Sequence, residues 1–470
     1  MKRDWAVAAA IALACLLFGL STLKPSNLRD YDQPTYLSVA HDLASTGVFT
    51  NGRSGPDDPG FYARNGGPGS PGAYTAPLYP AMVAALIPLS PALARAAACA
   101  RDSPMEAMRA CPPSLGLLLP VQAALAVFTL VLGWRTAVAV TGNKAVAWGA
   151  LVAAGLGTTE YAVYARTAMT EALSLPLAAL AGLLLVSLVQ APRWPTAAGL
   201  GVALGLLVLT RPDFLYLAGA LGLVGLTAFG MSRRLGAALL GAVALAGVVV
   251  SPWSIRNERL FGSAGPTYGY SGFILAQRMA YEAMTPGEWV ASWLYALPGF
   301  GPPAAHAVFP ARDVDRLGWQ ERPDTFYMVG NGPAIDQMRA DAPDPTDQVG
   351  YLVRRFVLPA PLHFAAVTMV MAWRGLWVRK YFSLVGVPFF FVMLVRAVRR
   401  RDLPMLAFVL PPVFLLFLHA ATTVSTPRYS LILIPVYATA FASVVIPWAS
   451  RSLQRFRFPN ALLRRREKVG

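Results

Sequence analysis

The chain of 470 residues is 56% hydrophobic and only 14% charged, with a mean hydropathy of +0.49. Soluble domains carry about 25% charged residues, so this composition excludes the soluble enzyme folds and predicts an all-α protein that crosses a membrane many times. The formal charge of +16 would suit nucleic acid only if Lys and Arg shared one exposed face; instead they gather in the loops of one side, so no nucleic-acid partner is expected.

Ten apolar stretches approach the roughly 20 residues that a membrane helix needs. In chain order they are 5–23, 114–134, 145–160, 168–189, 196–210, 213–230, 235–251, 381–395, 403–421 and 429–449. The first has the charged start and short apolar core of a signal peptide, but no small-residue cleavage site follows it, so it reads as a span. An eleventh apolar stretch, 357–373, contains Pro359, Pro361 and His363 and ends at Arg374. If it crossed, Arg396, Arg399, Arg400 and Arg401 would be delivered to the outside, so an interfacial helix on the external side is the preferred reading.

With ten spans both termini share a side, and the Lys/Arg bias makes that side cytoplasmic. It holds 18 of the 40 basic residues, from Lys2 and Arg3 to the tail at 451–470, but only Asp4, Asp402 and Glu467 of the 24 acidic ones. The remaining residues are nearly neutral. The predicted organisation is a first span (1–23), a first external loop (24–113), a membrane core (114–251), a second external region (252–380), C-terminal spans (381–450) and a basic cytoplasmic tail (451–470). The expected location is a cell (inner) membrane, and that orientation makes the functional face periplasmic or otherwise extracytoplasmic.

Function is expected in the two long external segments, because loops of this length on a membrane scaffold usually carry it. The first is rich in Gly and Pro around "NGRSGPDDPGFYARNGGPGSPG" and reads as a loop broken by short helices; the second carries Trp289, Trp293, Tyr295 and Trp319. No internal repeat and no Walker or Rossmann glycine motif is present, which argues against an ATP-driven pump. Cys15 reads as a small buried apolar residue, whereas Cys99 and Cys111 share the external loop, where a bridge is chemically allowed although spacing alone does not show that the sulfurs meet. No Cys/His cluster has metal-ligand spacing; no cofactor is called for, and a divalent metal is left open.

After the first span, apolar residues from Gln33 to Ala44 recur at helical spacing, including Tyr36, and predict a short helix on the external surface with Asp30 and Asp32 at its entrance. Asp32 reads either as an N-cap ahead of Pro34 or as a base acting on a hydroxyl beside a lipid-borne substrate. Arg166, Arg211, Arg256 and Arg428 all fall at external ends of spans, where each reads either as a snorkelling or paired residue, such as Arg211 with Asp213, or as part of a phosphate site. Glu171, inside a span, is a functional candidate or the ion-pair partner of Arg166; Glu160 reads as an exposed loop residue.

The runs "YDQPTYLSVAHDLASTGVF", "APLYPAMVAAL", "TRPDF", "SPWSIRNERLFG" and "TPRYSLILIPVY" resemble the GT-C superfamily of integral-membrane glycosyltransferases, of the protein O-mannosyltransferase and lipid A aminoarabinose transferase type. The resemblance spans most of the chain in consistent order, and "PWSIRN…FG" is its most specific element. It implies a GT-C fold, a polyprenyl-phosphate sugar donor, a lipid, glycan or protein acceptor, inversion at the anomeric carbon, and an acidic base in the first external loop. Asp32 matches the first member of the family's acidic pair. Gln33 replaces the second, which removes the paired carboxylates on which a metal site there would rest and leaves Asp30 as the nearest substitute. Arg256, Arg428, Arg211 and Arg166 become donor-phosphate candidates, with Tyr36, Tyr429 and Glu171 beside them. Two other classes share the many spans and boundary arginines: an O-antigen ligase or polymerase acting on a lipid diphosphate glycan, and a lipid or solute transporter.

Overall fold

The computed structural model describes residues 2–24, 27–52, 69–104 and 106–457. The Gly- and Pro-rich run at 53–68 and the tail beyond 457 lie outside the described residues. Among the described residues all regular structure is helical.

The chain begins with α1 (Lys2–Thr22), followed by three helices of the first loop: α2 (Gln33–Thr46), α3 (Leu78–Leu86) and α4 (Pro91–Asp102). The core continues with α5 (Leu118–Thr141), α6 (Lys144–Leu156), α7 (Glu160–Arg166), α8 (Glu171–Gln190), α9 (Trp194–Thr210), α10 (Phe214–Met231) and α11 (Arg233–Phe261). A second layer holds α12 (Tyr270–Met279), α13 (Pro286–Tyr295), α14 (Gly301–Val308), α15 (Phe326–Asn331), α16 (Pro333–Asp341), α17 (Gln348–Leu352) and α18 (Pro361–Leu376). Then α19 (Lys380–Arg400), α20 (Leu403–Thr422) and α21 (Ile434–Arg457) close the bundle.

Eight of the described helices are long and apolar enough to cross a membrane, and nine if the pair around residues 348–376, bent by 103°, is counted as one. Two of the ten expected spans are shorter apolar helices, Lys144–Leu156 and Trp194–Thr210. The first is short because the chain breaks at Gly157, where the Phe382 ring occupies the space a side chain would need. Both sides of the break lie alongside α1: Gly155 of α6 packs on Cys15 and Ala162 of α7 on Gly19. Close backbone approach also joins α9 to α11, where a Cβ on Gly205 would lie 2.6 Å from that of Val249. Conversely α11 runs ten residues past the predicted end of its span, straight through Pro252, and carries Trp253, Arg256 and Asn257 on its last turns.

One end of the bundle gathers the helix termini next to the basic loops. Lys144 pairs with Asp4, Trp5 meets Trp134 edge to face, and Gln190 Nε2 donates to the Ala139 carbonyl. The opposite end carries α2 to α4 and the α12–α18 layer. There α2 is not the surface helix expected: Gln33, Pro34, Leu37, Ser38, Val39, Ala40 and Asp42 are buried, and Leu37 and Ala40 share a cluster with Tyr79 of α3 and Leu93 and Ala97 of α4. The Cys99–Cys111 disulfide is formed, closing the loop that follows α4. Cys15 is free and buried.

The α12–α18 layer is bolted to α20 by Arg278, fully buried, whose Nε donates to the Ala420 carbonyl and whose other nitrogens reach Glu282 and Thr368. At its other end, the Leu376 carbonyl accepts from Tyr437 of α21, and Gly375 lies against Leu416. Thus α18 crosses the last turns of α20 and the first of α21 rather than running the length of the bundle. Trp289, Trp293, Trp373 and Trp377 form a continuous ring-to-ring chain along α13 and α18, the amphipathic ring type that favours a membrane–water boundary.

Candidate active site

Asp32 occupies the N-cap position of α2, yet its side chain makes no capping hydrogen bond. Its carboxylate instead pairs with Arg428, Nη1 to Oδ2 at 2.8 Å, with the carboxylate 46% and the guanidinium 22% exposed. The preceding residue, Tyr31, holds φ at 61°, uncommon for a residue with a side chain; it turns the chain so that Asp32 faces Arg428 rather than the helix amides.

Gln33, the next residue, is tied into the fold on three sides. Fully buried, it donates through Nε2 to the Asn27 and Asp30 carbonyls and accepts at Oε1 from the Ala168 amide, pinning the Asp32 turn to the start of α8. Asp30 is taken into the same turn, accepting from the Asn27 amide at 3.1 Å. Tyr36, one turn on, meets Tyr79 edge to face; burial, with Asp32 and Glu171 adding to it, pushes its phenol well up.

Behind Arg428 lies a buried polar network. Arg211, in the short connection between α9 and α10, pairs with Glu171 at 3.1 Å and, through Nε and Nη2, with both oxygens of Asp213 at 3.3 Å. His419 Nε2 lies 2.7 Å from Asp213 Oδ2. Burial alone would push the Asp213 carboxyl up; Arg211, and after it His419, outweigh that and hold it below the usual carboxylate range. The Tyr429 ring stands against both: His419 is 5.0 Å and Arg211 5.1 Å away, and the Tyr429 hydroxyl accepts from Arg428 Nη2 at 3.4 Å.

The four boundary arginines therefore separate. Arg211 and Arg428 meet around Tyr429. Arg256 donates to the Gly72 and Phe49 carbonyls and to Asn257, over the Trp253 ring at 4.4 Å, so its charge holds the first loop to α11. Arg166 donates to the Leu23 carbonyl and does not pair with Glu171, whose partner is Arg211, 40 positions away. Glu160 is not an exposed loop residue: it opens α7, half-buried, 2.6 Å from Arg379. Burial pushes its carboxyl up against the opposing pull of Arg379.

His419 is the residue that sequence reasoning missed. The available signal was a lone ionisable residue in the apolar run "FLLFLHAA", which in a membrane helix is a site hypothesis by default. Among the described residues no group of three or more His, Cys, Asp or Glu side chains is placed to hold a metal ion.

Below the network, an apolar hollow runs between α5, α8, α9, α10 and α20. Its walls include Leu175 of α8, Phe214, which follows Asp213, Leu431 and Ile432, which follow Tyr429, and Pro411 of α20. A second, much smaller hollow is lined by Glu171, Gln122 and Tyr164.

No family model and no curated protein matches the chain. Among solved structures, it is similar to the oligosaccharyltransferase of Archaeoglobus fulgidus, in the apo form and in complex with an inhibitory peptide and a dolichol-phosphate. Each match has a TM-score of 0.49 and 13% identity, over 98% of this chain and 53% of that one. The same enzyme in complex with Zn and sulfate gives a TM-score of 0.45 at 13% identity, over 99% and 51%. The chain spans about half the length of these structures.

Proposed function

We propose that the chain is a membrane glycosyltransferase of GT-C type that moves a sugar from a polyprenyl-phosphate donor to an acceptor hydroxyl, with inversion. The observation that carries this is the Asp32–Arg428 pair, a carboxylate and a phosphate-binding cation 2.8 Å apart and both partly open, beside the network that roofs an apolar hollow. The sequence resemblance points to the same chemistry.

In this reading the donor phosphate replaces Asp32 on Arg428, because guanidinium binds phosphate through two parallel hydrogen bonds. Capturing the donor then frees the Asp32 carboxylate to take the proton from the acceptor hydroxyl as that oxygen attacks C1. The C1–O bond to phosphate breaks on the opposite face. Phosphate leaves without a strong general acid, its growing charge met by Arg428. Arg211, already shared between Glu171 and Asp213, orients rather than binds; Arg256 and Arg166 hold the first loop and the end of α1. The apolar hollow offers the first part of the lipid tail a place next to the phosphate. Asp30, tied to its own turn, is the weaker candidate base. The Lys/Arg bias supports a periplasmic position for this end of the bundle.

The test is transfer in liposomes. The wild-type protein should move a labelled sugar from a polyprenyl monophosphate to endogenous acceptor extract, and a polyprenyl monophosphate lipid should co-purify. Transfer only from a diphosphate-linked glycan would support the ligase reading, and lipid or solute movement without bond cleavage the transporter.

A further inference from the structure

We infer that His419 is a positioning residue for the proposed reaction, acting through Tyr429 to hold Arg428 where phosphate charge develops. The inference rests on the reading of Arg428 given above.

The turn that presents Arg428 is weakly tied by its own side chains. It leaves α20, passes Ser425 at φ 49°, and enters a short 3-10 helix at Pro427–Leu433. The hydroxyls of Ser425, Thr426 and Ser430 are buried and find no partner among the described residues. Leu431 and Leu433 anchor the far end of this short helix in the core, and next to Arg428 itself the Tyr429 ring, 9% exposed, lies against His419 and Arg211. Both of those groups are held by one carboxylate, Asp213. His419 can do this only through Nε2, because its Nδ1 is buried and unpartnered.

The consequence is a chain of contacts from α20 to the reacting groups. His419 and Arg211 orient Tyr429; the Tyr429 hydroxyl takes one Arg428 nitrogen, and another Arg428 nitrogen faces Asp32. The side-chain partners of His419 are Asp213 and Tyr429, so its effect on Arg428 must travel through Tyr429. The donor phosphate is a singly charged diester, whereas the departing polyprenyl monophosphate carries more negative charge. A misplaced Arg428 therefore harms the transition state and product binding more than donor binding.

The experiment compares His419→Leu, His419→Gln, Tyr429→Phe and the double variant His419→Leu/Tyr429→Phe in liposomes. Thermal midpoints with and without added polyprenyl monophosphate serve as the second readout. His419→Leu should lose at least about tenfold in kcat, the scale of a modest misplacement, with donor KM within about threefold. Its affinity for polyprenyl monophosphate should fall by a similar factor. His419→Gln, whose flat amide can reach Asp213 and lie against the Tyr429 ring, should recover activity to within about threefold of wild type. The double variant should be no worse than the poorer single, because both act on one path.

The inference is overturned if the two losses multiply, if His419→Leu stays within twofold of wild type, or if Gln fails to rescue a Leu variant that folds. If the wild type transfers no sugar, the functional reading fails, and product affinity still decides this inference. Affinity unchanged in His419→Leu would reject it; a tenfold fall rescued by Gln would support it.

Discussion

Arg211→Leu removes the cation shared by the buried Glu171 and the half-buried Asp213. Glu171, whose side chain is 3% exposed, would keep only the Thr170 hydroxyl at 3.3 Å, and Asp213 only His419. Breaking a buried pair by deleting one partner costs about 3–5 kcal/mol, because the remaining charge is stranded. At about 1.4 kcal/mol per tenfold, the unfolding constant should rise by roughly two to four powers of ten. Unfolding in mixed micelles with increasing denaturing detergent reads this directly. Arg211→Leu/Glu171→Gln should recover at least about 1 kcal/mol by removing one stranded charge. The Asp213 contribution also has a pH signature. Held below the ordinary carboxylate range, this group stabilises the wild type at neutral pH, and that stability is lost only as pH falls below its unfolded value near 4. The deficit of the variant should therefore shrink below about pH 4. An Arg211→Leu protein within 1 kcal/mol of wild type at pH 7 would refute the reasoning.

Other outcomes follow from the same geometry. Glu160 has the opposite sign: its carboxyl is pushed up, so ionising it lowers stability as pH rises through its folded value. Glu160→Gln should narrow the stability difference between pH 5 and pH 8, and an unchanged difference would count against the burial argument. Cys99→Ser/Cys111→Ser should lose about 3 kcal/mol, seen as a lower thermal midpoint that reductant no longer shifts; a wild-type midpoint insensitive to reductant would contradict this. Gly375→Ala would place a methyl 2.6 Å from Leu416 and 2.8 Å from the Ser425 hydroxyl. It should destabilise by about 1–3 kcal/mol, measured by the same detergent titration.

How far the sequence could be read depends on what each signal reports. Apolar stretches located the crossing segments well because burial in lipid requires them, but hydropathy does not mark where a helix stops. Hence α11 continues past Pro252 into polar sequence, and the stretch at 145–160 divides at Gly157. Asp32 and Arg428 were legible as residue types at a membrane boundary, reinforced by the motifs around them. Which arginines converge was not legible, since Arg256 and Arg166 end on backbone carbonyls, which leave no trace in the residue pattern. Of the two readings of Glu171, the ion pair with Arg166 rests on closeness in sequence alone; the fold instead brings Arg211 to it from another helix end. Gln33 is instructive in the same way. Its residue type alone suggests only an absent charge, whereas in the fold it is the buried clamp that ties the Asp32 turn to the start of α8.

The central claim, that Asp32 is the base and Arg428 its phosphate-dependent partner, is tested most directly by single-turnover transfer from a polyprenyl-phosphate sugar with wild type, Asp32→Asn and Asp30→Asn. The account predicts that Asp32→Asn binds donor at least as tightly as wild type, because Arg428 no longer has a competing carboxylate, while the chemical step slows by at least about a hundredfold. Asp30→Asn should stay within severalfold of wild type. Full-rate transfer by Asp32→Asn would contradict the account.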